Sequence, residues 1–143
     1  MTKHLKHENT AIPGCGFHHI AIRTGNWDAS MKFWVDAMGF TPAANWGEAP
    51  KRAVMLDTGD GNYLEVFERE TVEATTGEPP ILHLCFRVDD CDAAVERARA
   101  AGAEVTVEPK TLAPFPNQDF PVRLAFIKGP DGEICEFFQN DVL

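Results

Sequence analysis

Four side chains that could bind a metal ion or move a proton stand inside apolar segments of the 143-residue chain. Two are histidines, His19 in "HHIAIR" and His83 in "LHLCFR", and two are glutamates, Glu65 in "YLEVF" and Glu136 in "ICEFF". A buried carboxylate is costly unless it has a partner, so glutamates inside apolar segments need an explanation. Two imidazoles and two carboxylates would form a mixed nitrogen and oxygen site for a divalent ion such as Ni, Zn, Co, Fe or Mn.

A second interpretation pairs each glutamate with an arginine. Arg23 and Arg87 each follow one of the histidines by four residues, so each shares the face of that histidine in a strand. A single histidine in a strand is also more often a hydrogen-bonded core residue than a metal ligand. The metal hypothesis therefore rests on the repetition of all four residues together.

An internal repeat relates the two halves of this set. A shift of 64 residues aligns "HIAIRTGNWDAS" with "HLCFRVDDCDAA" and superposes His19 on His83. A shift of 71 residues aligns "MLDTGDGNYLEVF" with "FIKGPDGEICEFF" and superposes Glu65 on Glu136. The difference between the shifts falls in the proline-rich segment "PKTLAPFPNQDFP" of the second copy.

Each copy has the pattern of a strand, a helix and three further strands. In the first copy "FHHIAIR" alternates as a strand does, and "WDASMKFWVDAMGF" has helical spacing and ends at Gly39. A weak strand at 40–45 and the strands "RAVMLDTG" and "NYLEVFE" follow.

The second copy repeats that order. The strand "ILHLCFRVDD" precedes the helix "CDAAVERARAAGA", which Gly102 closes, and the strands "EVTVE", "RLAFIKG" and "EICEFFQ" follow. We therefore expect an α+β fold of two tandem βαβββ modules, which must join within one chain or across a dimer to cover their open faces.

Strand alternation separates the neighbouring histidines His18 and His19. Arg23 shares the face of His19, whereas His18 points to the opposite face. In the second copy Leu82 takes the place of His18, and His83 repeats the second histidine. The pattern predicts that His18 packs beneath a helix and that His19 faces the site.

The ends and the joint of the repeat define the predicted organisation. We expect a polar N-terminal arm at 1–15 and a single domain at 16–143. Within that domain the first module spans 16–68, a polar linker spans 69–79 and the second module spans 80–140.

Composition excludes several classes of function. The formal net charge of −9, from 22 acidic and 13 basic residues, would repel nucleic acid. No apolar run approaches the roughly 20 residues of a membrane span, and the N-terminus lacks the apolar core of a secretory signal. Four cysteines without CxxC spacing fit free thiols in a reducing compartment. We expect a soluble cytoplasmic protein with a small-molecule substrate.

Three aromatic features have both a structural and a functional interpretation. Trp34 lies at helical spacing with two methionines and is expected in the core, whereas Trp46 stands in a loop and could contact a ligand. The loop "TLAPFPNQDFP" is long enough to act as a lid, with Phe115 and Phe120 touching a substrate or a second subunit.

Four segments together resemble the vicinal oxygen chelate superfamily, which includes glyoxalase I, extradiol dioxygenases and bleomycin resistance proteins. They are "HHIAIRTGNWDASMKFWVDAMGF", "NYLEVFE", "LHLCFRVDDCDAAVERARAAGA" and "AFIKGPDGEICEFF". The resemblance implies paired βαβββ modules whose curved mixed sheets enclose a divalent metal. The family's metal positions fall on His19, Glu65, His83 and Glu136.

This ligand set resembles bacterial glyoxalase I most closely. The resemblance implies a lyase or isomerase that acts through an enediolate, with Glu136 as the main base and Glu65 as its counterpart. Arg23 matches an arginine that contacts the thiol cofactor there, and we add Arg87 and Trp46 as candidate substrate contacts. The implied substrate is a small oxygenated molecule such as a thiol adduct, and the implied assembly is a homodimer.

Other members of the superfamily differ at identifiable positions. Glyoxalase I carries an asparagine where this sequence has Arg69, which leaves the identity of the thiol open. An extradiol dioxygenase needs two histidines and one glutamate on iron, so Glu65 would be surplus. Methylmalonyl-CoA epimerase has glutamine in the place of Glu65. A binding protein of the antibiotic resistance type would need no ligand set.

Overall fold

The computed structural model describes residues 10–11, 17–71 and 81–142. Most of the predicted N-terminal arm and of the predicted linker at 69–79 therefore lies outside the described residues. The chain divides into two compact units, and the described residues 17–71 and 81–142 belong to different ones.

The first unit contains one four-stranded sheet and one helical segment. Its elements are β1 (His19–Thr24), α1 (Trp27–Met31), a π-helical continuation of α1 (Lys32–Ala37), β2 (Thr41–Trp46), β3 (Ala53–Asp57) and β4 (Tyr63–Glu68). The strand order is β1-β4-β3-β2. Strand β1 is parallel to β4, and the other neighbours are antiparallel.

The helical segment begins and ends where the sequence predicts. The side chain of Asn26 caps it by accepting a hydrogen bond from the backbone N–H of Ala29. Gly39 follows it with φ +76°, the left-handed conformation that favours glycine after a helix. Trp34 is fully buried, and its ring stacks on Phe40, so the predicted core position of this tryptophan is confirmed.

The second unit repeats the first. Its elements are β5 (Leu84–Arg87), α2 (Cys91–Ala100), β6 (Glu104–Leu112), β7 (Val122–Lys128) and β8 (Ile134–Gln139). The strand order β5-β8-β7-β6 matches that of the first sheet, again with one parallel pair, β5 and β8. The α+β fold of two tandem βαβββ modules is confirmed.

One boundary in the second unit differs from the prediction. The proline-rich loop was expected to begin at Pro109, but β6 continues to Leu112 and pairs there with Val122. Strand β6 lies at the edge of its sheet, where the missing N–H of a proline leaves no pairing bond unmade. Register shifts on either side of Val107 show that the strand is bulged rather than broken.

Alternation along β4 divides core from open surface in the first sheet. Leu64 and Val66 are buried, and Glu65 points to the opposite, partly exposed face. Strand β8 has Cys135 and Phe137 on its buried face, where the cysteine is a small core residue as expected. No helix in the described part of the chain is long and apolar enough to span a membrane.

Candidate metal centre

The two parallel strand pairs place the predicted ligands at equivalent positions. Glu65 on β4 lies opposite Ala21 on β1, and Glu136 on β8 lies opposite Cys85 on β5. Each histidine precedes the strand partner of its glutamate by two residues, so the histidine and the glutamate project from the same face. We call this the site face of each sheet.

In the first module the side chains of His19 and Glu65 converge. The Nε2 atom of His19 lies 3.6 Å from Oε2 of Glu65, which is longer than a hydrogen bond. The carboxylate side chain is 13% exposed and the imidazole is 40% exposed. A mostly buried acid thus faces an accessible ring nitrogen.

The second module holds the equivalent pair more closely. The Nε2 atom of His83 lies 3.1 Å from Oε2 of Glu136, which is within hydrogen-bond distance. Glu136 is 8% exposed, and no other charged residue in the described part of the chain is buried. Each predicted glutamate therefore has a histidine imidazole within 4 Å of its carboxylate.

The atoms that converge fit a divalent ion of the borderline type. Imidazole nitrogen and carboxylate oxygen are both ordinary ligands of zinc and related metals. Within residues 10–11, 17–71 and 81–142, no group of three or more histidine, cysteine, aspartate and glutamate side chains is arranged to hold a metal ion. Each module by itself offers two donors.

His18 does not pack beneath the helix, and that prediction is wrong. It is exposed, its ring centroid lies 5.0 Å from that of Tyr63, and its Nδ1 lies 2.9 Å from Nδ1 of His19. His18 precedes the first residue of β1, and its ring packs on Tyr63 of β4 instead of lying beneath a helix.

Two residues beside the second pair were not singled out from the sequence. The ring of Phe126 meets that of His83 edge to face, with centroids 5.5 Å apart. The thiol of Cys85 lies beside Glu136; its burial, and secondarily the charge of Glu136, raise the pKa of the thiol to about 12. The sequence signal for Cys85 was its position two residues after His83, which puts both side chains on one face of a strand.

Two of the predicted substrate contacts in the first module, Arg23 and Trp46, lie near Phe67. Arg23 on β1 lies opposite Phe67 on β4, two residues beyond Glu65. The ring of Trp46 packs edge to face on Phe67 at 6.1 Å, and the guanidinium of Arg69 lies 5.2 Å from the same ring. A cationic and aromatic surface therefore borders the His19 and Glu65 pair on the site face.

The proline-rich loop packs on the site face of the second module. Phe115 stacks on Phe120 with centroids 6.3 Å apart and meets Phe138 edge to face at 6.0 Å. Phe138 is two residues beyond Glu136 and lies opposite Arg87, the third predicted substrate contact. The loop thus adds partly exposed aromatic surface beside the second pair.

Comparison with known families agrees with this arrangement. The family model of the Glyoxalase/Bleomycin resistance protein/Dioxygenase superfamily matches residues 16–137. The chain belongs to this superfamily. The resemblance inferred from the sequence is thereby confirmed.

Individual members of the superfamily are more distant. The "Probable lactoylglutathione lyase" of Vibrio cholerae is 27% identical over 127 residues, covering 85% of this chain and 88% of that protein. The 4-hydroxyphenylpyruvate dioxygenase of Danio rerio is 34% identical over 107 residues, covering 65% of this chain but 26% of that protein. A glyoxalase I structure from Leishmania major superposes with a TM-score of 0.68 at 22% identity, covering 88% of this chain and 87% of that chain, which shows the fold alone.

Proposed function

We propose that this protein is a divalent-metal-dependent glyoxalase-type lyase or isomerase. The observation that carries the proposal is the pair of equivalent His–Glu contacts at 3.6 Å and 3.1 Å. Each pair supplies two donors, so a four-ligand set needs one His19–Glu65 pair and one His83–Glu136 pair, taken from one chain or from two copies in a homodimer.

The residues His19, Glu65, His83 and Glu136 would hold the ion. When bound, a divalent ion would polarise two neighbouring substrate oxygens and stabilise the negative charge of an enediolate. The side chains of Glu65 and Glu136 project from the site face and are 13% and 10% exposed, so each carboxylate could accept a proton from a substrate bound on that face.

We assign the proton transfer to these carboxylates. Glu136, the more buried of the two, would take the proton from the carbon that carries the hydroxyl group. The same proton would return to the adjacent carbon, so that an adduct of an α-ketoaldehyde and a thiol becomes a hydroxy thioester without loss or gain of atoms. Glu65 would act as ligand and counterpart base.

Substrate recognition would use the surfaces beside the two pairs. Arg69, whose guanidinium lies over Phe67, and Arg23, which lies opposite Phe67 on β1, give the first module two cations that suit a substrate with a carboxylate. Arg87 and the rings that flank Phe138 would contact a less polar portion. Trp46, whose ring packs on Phe67, would border the substrate-contact surface of the first module.

An iron-dependent ring-cleaving dioxygenase is the second candidate. The similarity to a dioxygenase favours it, since three of the four ligands would suffice for iron. The retention of Glu65 in contact with His19 favours the isomerase, because this carboxylate would have no ligand role in a three-residue site.

A substrate panel separates these functions. Protein loaded with nickel, zinc or iron(II) would be assayed with adducts of methylglyoxal and several thiols by thioester absorbance, and with catechols by oxygen consumption. We expect thioester formation that Glu136→Gln abolishes. Oxygen consumption that persists in Glu65→Gln would instead establish the dioxygenase, and metal binding without turnover on either panel would indicate a binding protein.

A further inference from the structure

The two histidines proposed as ligands differ in the residue that contacts the imidazole ring in addition to the glutamate. In the first module Nδ1 of His19 lies 2.9 Å from Nδ1 of His18. In the second module the residue before His83 is Leu82, which is 56% exposed and has no polar side-chain atom. The equivalent hydrogen bond is therefore absent by composition, and His83 instead contacts the ring of Phe126.

A hydrogen bond between two ring nitrogens requires a proton on one of them and a lone pair on the other. The opposite nitrogen of His19, Nε2, lies 3.6 Å from Oε2 of Glu65, too far for a good hydrogen bond. Either ring can be the donor: when His18 donates, the proton of His19 lies on Nε2, and when His19 donates, its proton lies on Nδ1. The second arrangement is the one that leaves the Nε2 lone pair of His19 available for a metal ion.

His18 is itself held in place by Tyr63. The backbone N–H of Tyr63 donates to the carbonyl of His18 at 2.8 Å, and the two rings lie 5.0 Å apart with an interplanar angle of 32°. His18 is exposed, but its backbone and its ring are both restrained by the same residue of β4. It can therefore offer Nδ1 as an acceptor at a fixed position.

We propose that His18 is a positioning residue that fixes the ring form of His19 and presents its Nε2 lone pair for coordination. Histidine ligands are commonly oriented by a hydrogen bond to the second ring nitrogen, and here another histidine supplies it. The inference rests on the proposed metal role of His19. It adds that the hydrogen bond with His18 preorganises the first pair, and that the second pair, next to Leu82, lacks the equivalent hydrogen bond.

Two substitutions separate the hydrogen bond from the bulk of the side chain. His18→Leu copies the residue of the second module and removes the acceptor. His18→Asn keeps an acceptor, because Oδ1 of asparagine stands at the same bonded distance from the backbone as Nδ1 of histidine. Leu82→Ala is the matched control at the equivalent position of the other module.

The first measurement is made on metal-free protein, by correlating ring protons with ring nitrogens in NMR spectra of ¹⁵N-histidine-labelled protein. We expect wild type to show His19 with its proton on Nδ1, and His18→Leu to show a mixture of the two ring forms. A wild-type His19 with its proton on Nε2 would overturn the proposal. This result does not depend on whether the protein is a metalloenzyme.

The second measurement is zinc affinity, determined by competition with a coloured chelator. We expect His18→Leu to weaken binding by about 10- to 100-fold, which is typical for loss of an outer partner of a ligand, and His18→Asn to recover most of it. Wild-type affinity in His18→Leu, or equal weakening in Leu82→Ala, would refute the positioning role. Absence of zinc binding in wild type would refute the proposed function instead, while the NMR result still decides the state of His19.

Discussion

Neighbouring residues on β4 should separate folding from metal binding. Leu64 is 1% exposed and points into the core, whereas Glu65 points to the site face. Leu64→Ala removes three carbon atoms, about 2.4 kcal/mol at about 0.8 kcal/mol each, and the residual cavity brings the expected loss to about 3–5 kcal/mol. With about 0.3 kcal/mol/K of unfolding entropy for 143 residues, the melting temperature should fall by at least about 10 °C.

Glu65→Gln should leave the stability of the metal-free protein nearly unchanged and weaken metal binding. It keeps the shape of the side chain and removes a mostly desolvated charge, so the melting temperature of the metal-free protein should change by less than about 3 °C, as expected for about 1 kcal/mol. Its zinc affinity should fall by more than about 100-fold, beyond the effect typical for an outer partner. Leu64→Ala should bind zinc within about threefold of wild type at temperatures where it is folded.

Both variants would be studied after chelator treatment, by thermal melting followed by circular dichroism and by chelator competition on the same samples. Comparable destabilisation of the metal-free protein by Glu65→Gln and Leu64→Ala would refute the reasoning. It would mean that Glu65 serves the fold, as a carboxylate satisfied by the protein itself.

Three further predictions concern the surroundings of the two pairs. Arg23→Ala should raise KM for a carboxylate-bearing substrate about 3- to 10-fold in steady-state assays, with little change in kcat. The control is Arg52→Ala, which breaks the bidentate contact to Glu68 and should lower stability but leave KM unchanged. Phe115→Ala should accelerate proteolysis within residues 113–121 relative to wild type, because its ring contact with Phe138 anchors the loop, and unchanged cleavage would contradict that role. Burial raises the pKa of Glu133, so ionisation of this carboxylate destabilises the folded protein. The melting temperature of Glu133→Gln relative to wild type should therefore rise as the pH increases above 4.5, the ordinary pKa of a glutamate, and a falling difference would contradict the assignment.

The repeat explains why the fold could be predicted from the sequence. Two alignments with different shifts placed His19 on His83 and Glu65 on Glu136, and the strand registers agree, since Ala21 and Cys85 lie opposite the two glutamates. Hydrophobic alternation then identified the face of each strand. Helix ends were recoverable because Gly39 and Gly102 adopt positive φ after the helices.

The failures occur where strand periodicity ends or is interrupted. Pro109 was assigned to a loop, although an edge strand tolerates it, and edge position is a property of the sheet rather than of the local sequence. His18 was assigned to the packed face by extending alternation beyond the first residue of β1. The contact between its ring and that of Tyr63 joins residues distant in sequence, so no local pattern could reveal it.

The most direct test of the proposed metal centre is metal stoichiometry in untagged protein. Equilibrium dialysis against zinc and nickel, followed by elemental analysis, would compare wild type with His19→Ala and His83→Ala, and sedimentation would give the oligomeric state of each sample. We predict one tightly bound ion per chain in wild type and loss of that ion in either variant, because the proposed ligand set draws on both His–Glu pairs. Full metal content in His83→Ala would contradict the proposal.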